Sequence, residues 1–153
     1  MADILQEIKK EHDEAREVLH QIHTARTKEL DYLKELYALL TGHHRAEEAV
    51  AFPKVASYDE KGKELIADLR KEHTEAEDKM LELIRTMQKG APLDLEMLQE
   101  IEGDVLHHMT EEEEDLFKKA RQAFSKKELE EALPPFEDEE EKAKEKAEKQ
   151  VGL

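Results

Sequence analysis

The sequence predicts an all-α protein: an antiparallel four-helix bundle followed by a short C-terminal helix and a charged tail. Three observations carry this. Apolar residues recur three and four positions apart, as one face of a helix requires, and no run alternates apolar with polar residues as a half-buried strand would. Only four prolines and five glycines interrupt the 153 residues. The segment "KKEHDEA" from Lys9 returns as "RKEHTEA" from Arg70, and each copy precedes a helix with adjacent histidines and adjacent glutamates, so two similar helix pairs build one bundle.

The first helix is expected from about Asp3 to His23, on the stripe Ile4, Ile8, Ala15, Leu19 and Ile22, with His12 on the same face. After "TART" a second helix carries Leu33, Leu36, Leu40, His43, Glu47 and Ala51, and is expected to end near Pro53, which has no amide proton to give a helix interior. Ser57 to Glu60 has the form of a capping box and leads into a third helix through Leu65, Leu69, His73, Ala76, Met80, Leu83 and Met87. Gly90 and Pro92 stop it. Asp94 is the expected N-cap of a fourth helix on Leu98, Ile101, Val105, His108, Glu112 and Leu116. Ser125 to Glu128 is a second capping-box pattern opening a short helix that "LPP" breaks, and the rest reads as a solvated helix or frayed tail. The expected division is residues 1–124 for the bundle and 125–153 for the short helix and tail.

A formal net charge of -16 argues against nucleic acid and anionic membrane as partners, because the protein's own field repels phosphates; a cation is a more natural guest. The absence of cysteine excludes disulfides, thiolate ligands and thiol catalysis. No apolar run is long enough for a signal peptide or a membrane span, so a cytoplasmic protein is expected.

All four helices place a histidine in the apolar stripe. Residues four apart on a helix lie one turn up the axis and about 40° from each other, so His43 with Glu47, and His108 with Glu112, can reach one ion together. Adding His12 and His73 gives four imidazoles and two carboxylates in one core, a set suited to a pair of iron or manganese ions, with zinc also served by these donors. Burying those charges without a cation carries a large desolvation cost. His23 follows the stripe of His12 but lies roughly 16 Å along the axis, too far for the same ion. Tyr37, Met80 and Met87 read as packing residues, and the remaining carboxylates of Glu111 to Asp115 as a solvated face.

The order His12, then His43-x-x-x-Glu47-Glu48 with Phe52-Pro53, then His73, then His108-x-x-x-Glu112-Glu113 with Leu116-Phe117, resembles the hemerythrin-like HHE cation-binding domain over roughly Ile4 to Phe124. The resemblance implies a non-haem centre of two iron ions (Fe2+/Fe3+) bridged by two carboxylates and an oxo or hydroxo group, and a small-molecule ligand: dioxygen, peroxide or nitric oxide. Phe52 and Phe117 each fall nine residues after His43 and His108, which matches the family's register; His44 with Glu48 and His107 with Glu111 are the alternative pairs, expected on the bundle flank, with His107 about 100° off its stripe but His44 less cleanly separated from His43. Oxygen-carrying hemerythrins are similar except that their third helix bears His-x-x-x-His, where this chain reads "HTEAE" from His73 to Glu77. Either Glu77 supplies an oxygen ligand or a position stays open, which favours reactivity over reversible oxygen storage. Sensing, scavenging or slow peroxide turnover is therefore the leading expectation, with no catalytic side chain assigned. The alternatives are a metal-binding storage, buffering or signalling bundle without redox turnover, and a purely structural bundle.

Overall fold

Asp3 opens the first helix by accepting from the amide of Gln6 while the Gln6 side chain returns to the Asp3 amide, a reciprocal cap that starts α1 (Ile4–Thr24). The computed structural model describes residues 1–25 and 27–153, and among these it is helical throughout, without strands. The second rod consists of α2 (Glu29–Ala46), a π turn (Glu47–Ala51) and α3 (Phe52–Tyr58). It does not end at Pro53: the proline sits in the first turn of α3, where a missing amide proton is tolerated. Asp59 alone separates this rod from α4 (Glu60–Gln88) and caps it by accepting from Gly62 N; the expected Ser57 cap lies instead inside α3. Asp94 caps the fourth rod, built of α5 (Leu95–Glu111), a second π turn (Glu112–Leu116) and α6 (Phe117–Ala123).

Short connections run these four rods antiparallel. The Ser125–Glu128 capping box forms and opens α7 (Lys126–Glu131). Beyond it the structure differs from the expected tail. "LPP" begins a 19-residue helix, α8 (Leu133–Val151), whose main neighbour is α2. Phe136, Ala147 and Val151 form its buried stripe, and the charged residues between them keep the other face wet.

The apolar core divides into two clusters. Ile4, Leu5, Ile8, Phe52, Val55, Ile66, Leu69, Leu116, Phe117 and Phe136 belong to one. Ala15, Leu19, Leu33, Leu36, Leu40, Ala76, Met80, Leu83, Leu98, Ile101 and Val105 belong to the other. Along three rods the break falls at the histidine, His12, His43 and His73; along the fourth it falls between Met109 and Leu116, at Glu112, one turn after His108. Each large side chain in these layers contributes about 1.5–3 kcal/mol of burial, and together they hold a polar layer in the middle of the bundle.

Candidate metal centre

That layer contains eight buried polar residues: Glu11, His12, His43, His44, Glu47, His73, His108 and Glu112. The six residues expected as ligands come together in two groups. His12, His43, Glu47 and Glu112 present donor atoms all within 4.8 Å of one another, and so do Glu47, His73, His108 and Glu112. The two carboxylates are common to both. Glu112 divides its oxygens between the groups: Oε1 lies 3.0 Å from His12 Nε2 and 3.8 Å from His43 Nε2, while Oε2 lies 3.3 Å from His108 Nε2 and 3.6 Å from His73 Nε2. Glu47 Oε1 is 3.2 Å from His43 Nε2 and 3.3 Å from His73 Nε2.

Outside this ring of Nε2 atoms, every imidazole is held through Nδ1. His12 faces Glu113 at 2.7 Å, His43 Glu11 at 2.6 Å, His73 Glu48 at 2.8 Å and His108 Glu72 at 2.7 Å. A carboxylate accepting from Nδ1–H fixes the tautomer, points Nε2 inward and makes it a better donor to a cation. The sequence repeat generates these pairs. Glu11 and Glu72 occupy the same place in the two "KEH" segments and serve the histidine of the following rod, whereas Glu48 and Glu113 follow the central glutamates and serve the histidine of the other half. Glu113, expected on a solvated face, also accepts from Arg16 at 2.7 Å.

His44 departs from the expected flank position, being only 2% exposed. Its ring stacks on that of His73 with centroids 3.7 Å apart, its Nδ1 lies 2.6 Å from Glu77 Oε2, and it forms a third close group with His73 and His108. Both oxygens of Glu77 are engaged, the second by Arg45, so Glu77 faces away from a ligand role. His107 is on the outside, with its side chain 76% exposed and 3.5 Å from Glu111. His23 pairs with Glu102 at the exposed surface. Tyr37 is buried and donates to Gln150 Oε1 at 2.9 Å, a packing contact between α2 and α8.

The electrostatics follow from crowding opposite charges in a dry layer. Burial pushes His43 down, but Glu47, Glu11 and Glu112 outweigh it and hold its pKa well above the usual imidazole range. His108 is likewise opposed by burial yet raised to about 9 by Glu112 and Glu72. Burial disfavours the charge on Glu112, and His108, His12 and His43 reverse this, keeping it ionised. His44 goes the other way: burial, then the neighbouring charges of His73, His108 and His43, push it well below the ordinary range and leave a neutral ring.

The donors fit a cation pair. Nε2 of His43, His73 and His108, both oxygens of Glu47 and Oε2 of Glu112 are buried without a hydrogen-bond partner, and all of them converge on the same small volume. Once a cation displaces the Nε2 protons, imidazole and carboxylate in this ratio suit iron, manganese or zinc.

The two π turns escaped the sequence reading. They begin at Glu47 and Glu112, the residues central to both groups. Nine residues of regular helix would put Phe52 on the side opposite His43, and Phe117 opposite His108, at 100° per residue. All four are buried. One extra residue per turn of helix reconciles the two facts, so the nine-residue spacing was itself the signal.

An all-helical bundle with a buried layer of histidines and glutamates belongs to the helical metal-binding proteins. The family is given by sequence: a family model, the hemerythrin HHE cation binding domain, matches residues 3–120, and the chain belongs to that family. Among curated proteins, a DNA nickase from Nostoc sp. (strain PCC 7120 / SAG 25.82 / UTEX 2576) is 29% identical over 106 residues, which cover 69% of this chain and 29% of the nickase. The chain therefore spans less than a third of that relative's length. No solved structure matches the chain at a significant level. No described helix is long and apolar enough to cross a membrane.

Proposed function

We propose that the chain holds two iron ions through His12, His43, Glu47, His73, His108 and Glu112, and uses them to bind or react with dioxygen, a peroxide or nitric oxide. The observation that carries this reading is the division of Glu112, one oxygen toward His12 and His43 and the other toward His73 and His108. A carboxylate so placed suits two neighbouring cations, and Glu47 shares the role. When bound, the ions supply one-electron redox chemistry and a coordination position for a small oxidant.

The protein's part is to hold charge and exclude water. Glu47 and Glu112 offset the cation charge, and the four outer carboxylates keep the Nδ1 protons in place. The apolar layers above and below the centre shield it from bulk solvent. A small molecule approaches from the open groove of about 650 Å³ between α2, α4 and α8, whose lining includes Arg45, Glu48 and Glu77. Glu77 contacts His44 and Glu48 contacts His73, and Arg45 pairs with both carboxylates.

Elemental analysis after anaerobic loading with ferrous ion tests the proposal, together with absorption spectra before and after exposure to air. About two irons per chain, with near-ultraviolet bands that appear in air and bleach on reduction, is the expected result. Two bound metals whose spectrum ignores oxidant would replace it with storage or buffering, and no bound metal would end it.

A further inference from the structure

Four of the eight histidines belong to the proposed ligand set, yet a fifth is built into the same layer in the same way. His44 is buried, its Nδ1 is held at 2.6 Å by the Glu77 carboxylate, and a ring nitrogen lies within 4.8 Å of donor atoms of His73 and His108. Every inward imidazole thus has a carboxylate on Nδ1, at 2.6–2.8 Å in all five cases. With Nδ1–H donating to Glu77, the lone pair is left on Nε2, the atom the other four direct inward.

The internal repeat sharpens the contrast. Superposing the halves by sequence, His12 corresponds to His73, His43 to His108, Glu47 to Glu112, Glu11 to Glu72 and Glu48 to Glu113. The His44–Glu77 pair has no such counterpart: the matching positions are Met109 and Arg16. Met109 packs in the apolar core and Arg16 donates to Glu113 and Asp13. The chain therefore departs from its own symmetry at two positions that touch each other, and the departure adds one imidazole and one carboxylate holding it.

We propose that His44 becomes a fifth imidazole ligand, to the ion between His73 and His108, by turning out of its stack on the His73 ring, and that Glu77 is the positioning residue that holds its Nδ1. The proposal rests on the metal-binding reading above and deepens it: one ion takes two imidazoles, the other three, and both share Glu47 and Glu112. The third-helix glutamate that stands where oxygen-carrying hemerythrins have a histidine is then not a lost ligand. It has become the partner of a ligand supplied by the second helix.

The test uses the full chain labelled with 15N at histidine and titrated with Zn2+, whose diamagnetism keeps the ring signals visible. Five of the eight rings, with His44 among them, should change their Nε2 shift on loading, while His20, His23 and His107 stay unmoved. In parallel, His44→Ala should keep wild-type helical content and one tight ion while binding the second at least about tenfold more weakly, with partial recovery in added imidazole. Glu77→Ala should weaken the same ion by about tenfold, as loss of an orienting partner does. His107→Ala should change nothing. Zinc bound at two sites with His44 unshifted, or His44→Ala binding two ions as tightly as wild type, overturns the fifth ligand and leaves the metal centre standing. Failure of the wild-type chain to bind Zn2+ or Fe2+ overturns both.

Discussion

Glu112 and His12 are 3.0 Å apart, yet their removal should have different consequences. Glu112 belongs to both four-residue groups and His12 to one. Glu112→Ala is therefore expected to lower metal content from about two per chain toward zero, and His12→Ala from about two toward one, read by elemental analysis after loading and desalting. A common loss in both variants would mean that the centre fails as a unit. Bound metal stabilises the native state by about 2.7 kcal/mol at a hundredfold excess over Kd, so the rise in Tm on loading should vanish in Glu112→Ala. At this scale the meeting of His12, His43, Glu47, His73, His108 and Glu112 in one layer was legible because helical spacing on four separate elements agreed. His44 was not, because the stripe of the second helix does not separate it cleanly from His43 and the nine-residue spacing to Phe52 favoured His43. The sign was there in "LYALL": Leu36, Tyr37, Ala38, Leu39 and Leu40 are consecutive and buried, which happens only on a helix enclosed on nearly all sides.

α2 is enclosed because α8 covers the side that the four-helix pattern leaves open, and this contact carries two predictions. A Cβ on Gly42 would lie 2.9 Å from the Glu140 carbonyl oxygen and 3.0 Å from Lys144 Cβ. Intrinsic helix preference favours alanine over glycine by about 1 kcal/mol, but the backbone of α8 stands in the way. Gly42→Ala should therefore be destabilising, by about 1–3 kcal/mol in urea unfolding, as overpacking costs. Glu140 on α8 faces Glu11, the partner of His43, and burial followed by the Glu11 hydrogen bond and charge raises it to about 9. A carboxyl raised on folding contributes stability that is present below its unfolded value near 4.5 and is lost as pH rises through about 9. Glu140→Gln mimics the protonated acid. Its Tm should match wild type near pH 4.5 and exceed it increasingly toward pH 9; parallel curves would show that Glu140 is ionised throughout. α8 was hard to read because its buried positions, Phe136, Ala147 and Val151, are few among charged neighbours. The π turns were hidden for another reason: the period of 3.6 assumed for each helix has no place for a residue inserted in mid-rod.

For the molecule as a whole, two apolar clusters sandwich a charged layer, and α8 closes that sandwich from outside on the α2 face. The Phe136 ring meets the His43 ring edge-on with centroids 6.3 Å apart, so the helix outside the family match at residues 3–120 reaches the edge of the centre. Net charge acts in the opposite sense. With 40 acidic and 24 basic side chains, the surface repels itself and draws cations inward. Raising ionic strength from about 0.01 M to about 0.15 M shortens the screening length from about 30 Å to about 8 Å, and should raise the Tm of metal-free protein. Truncation after Ala132 separates what the bundle does alone from what α8 adds. The packing of α2 on α1 and α4, and of α4 on α5, does not involve α8, so the shortened chain should remain helical in proportion to its length. The α2 face that Phe136, Ala147 and Val151 cover would then meet water, along with Glu11 beside His43. Iron loaded into the truncated chain should pass to an external chelator at least about tenfold faster than from the full chain, because opening one wall of a buried site removes the barrier to water and competing ligands. Equal release rates would show that the metal leaves by the groove beside Arg45 and Glu77 and that α8 does not guard the centre.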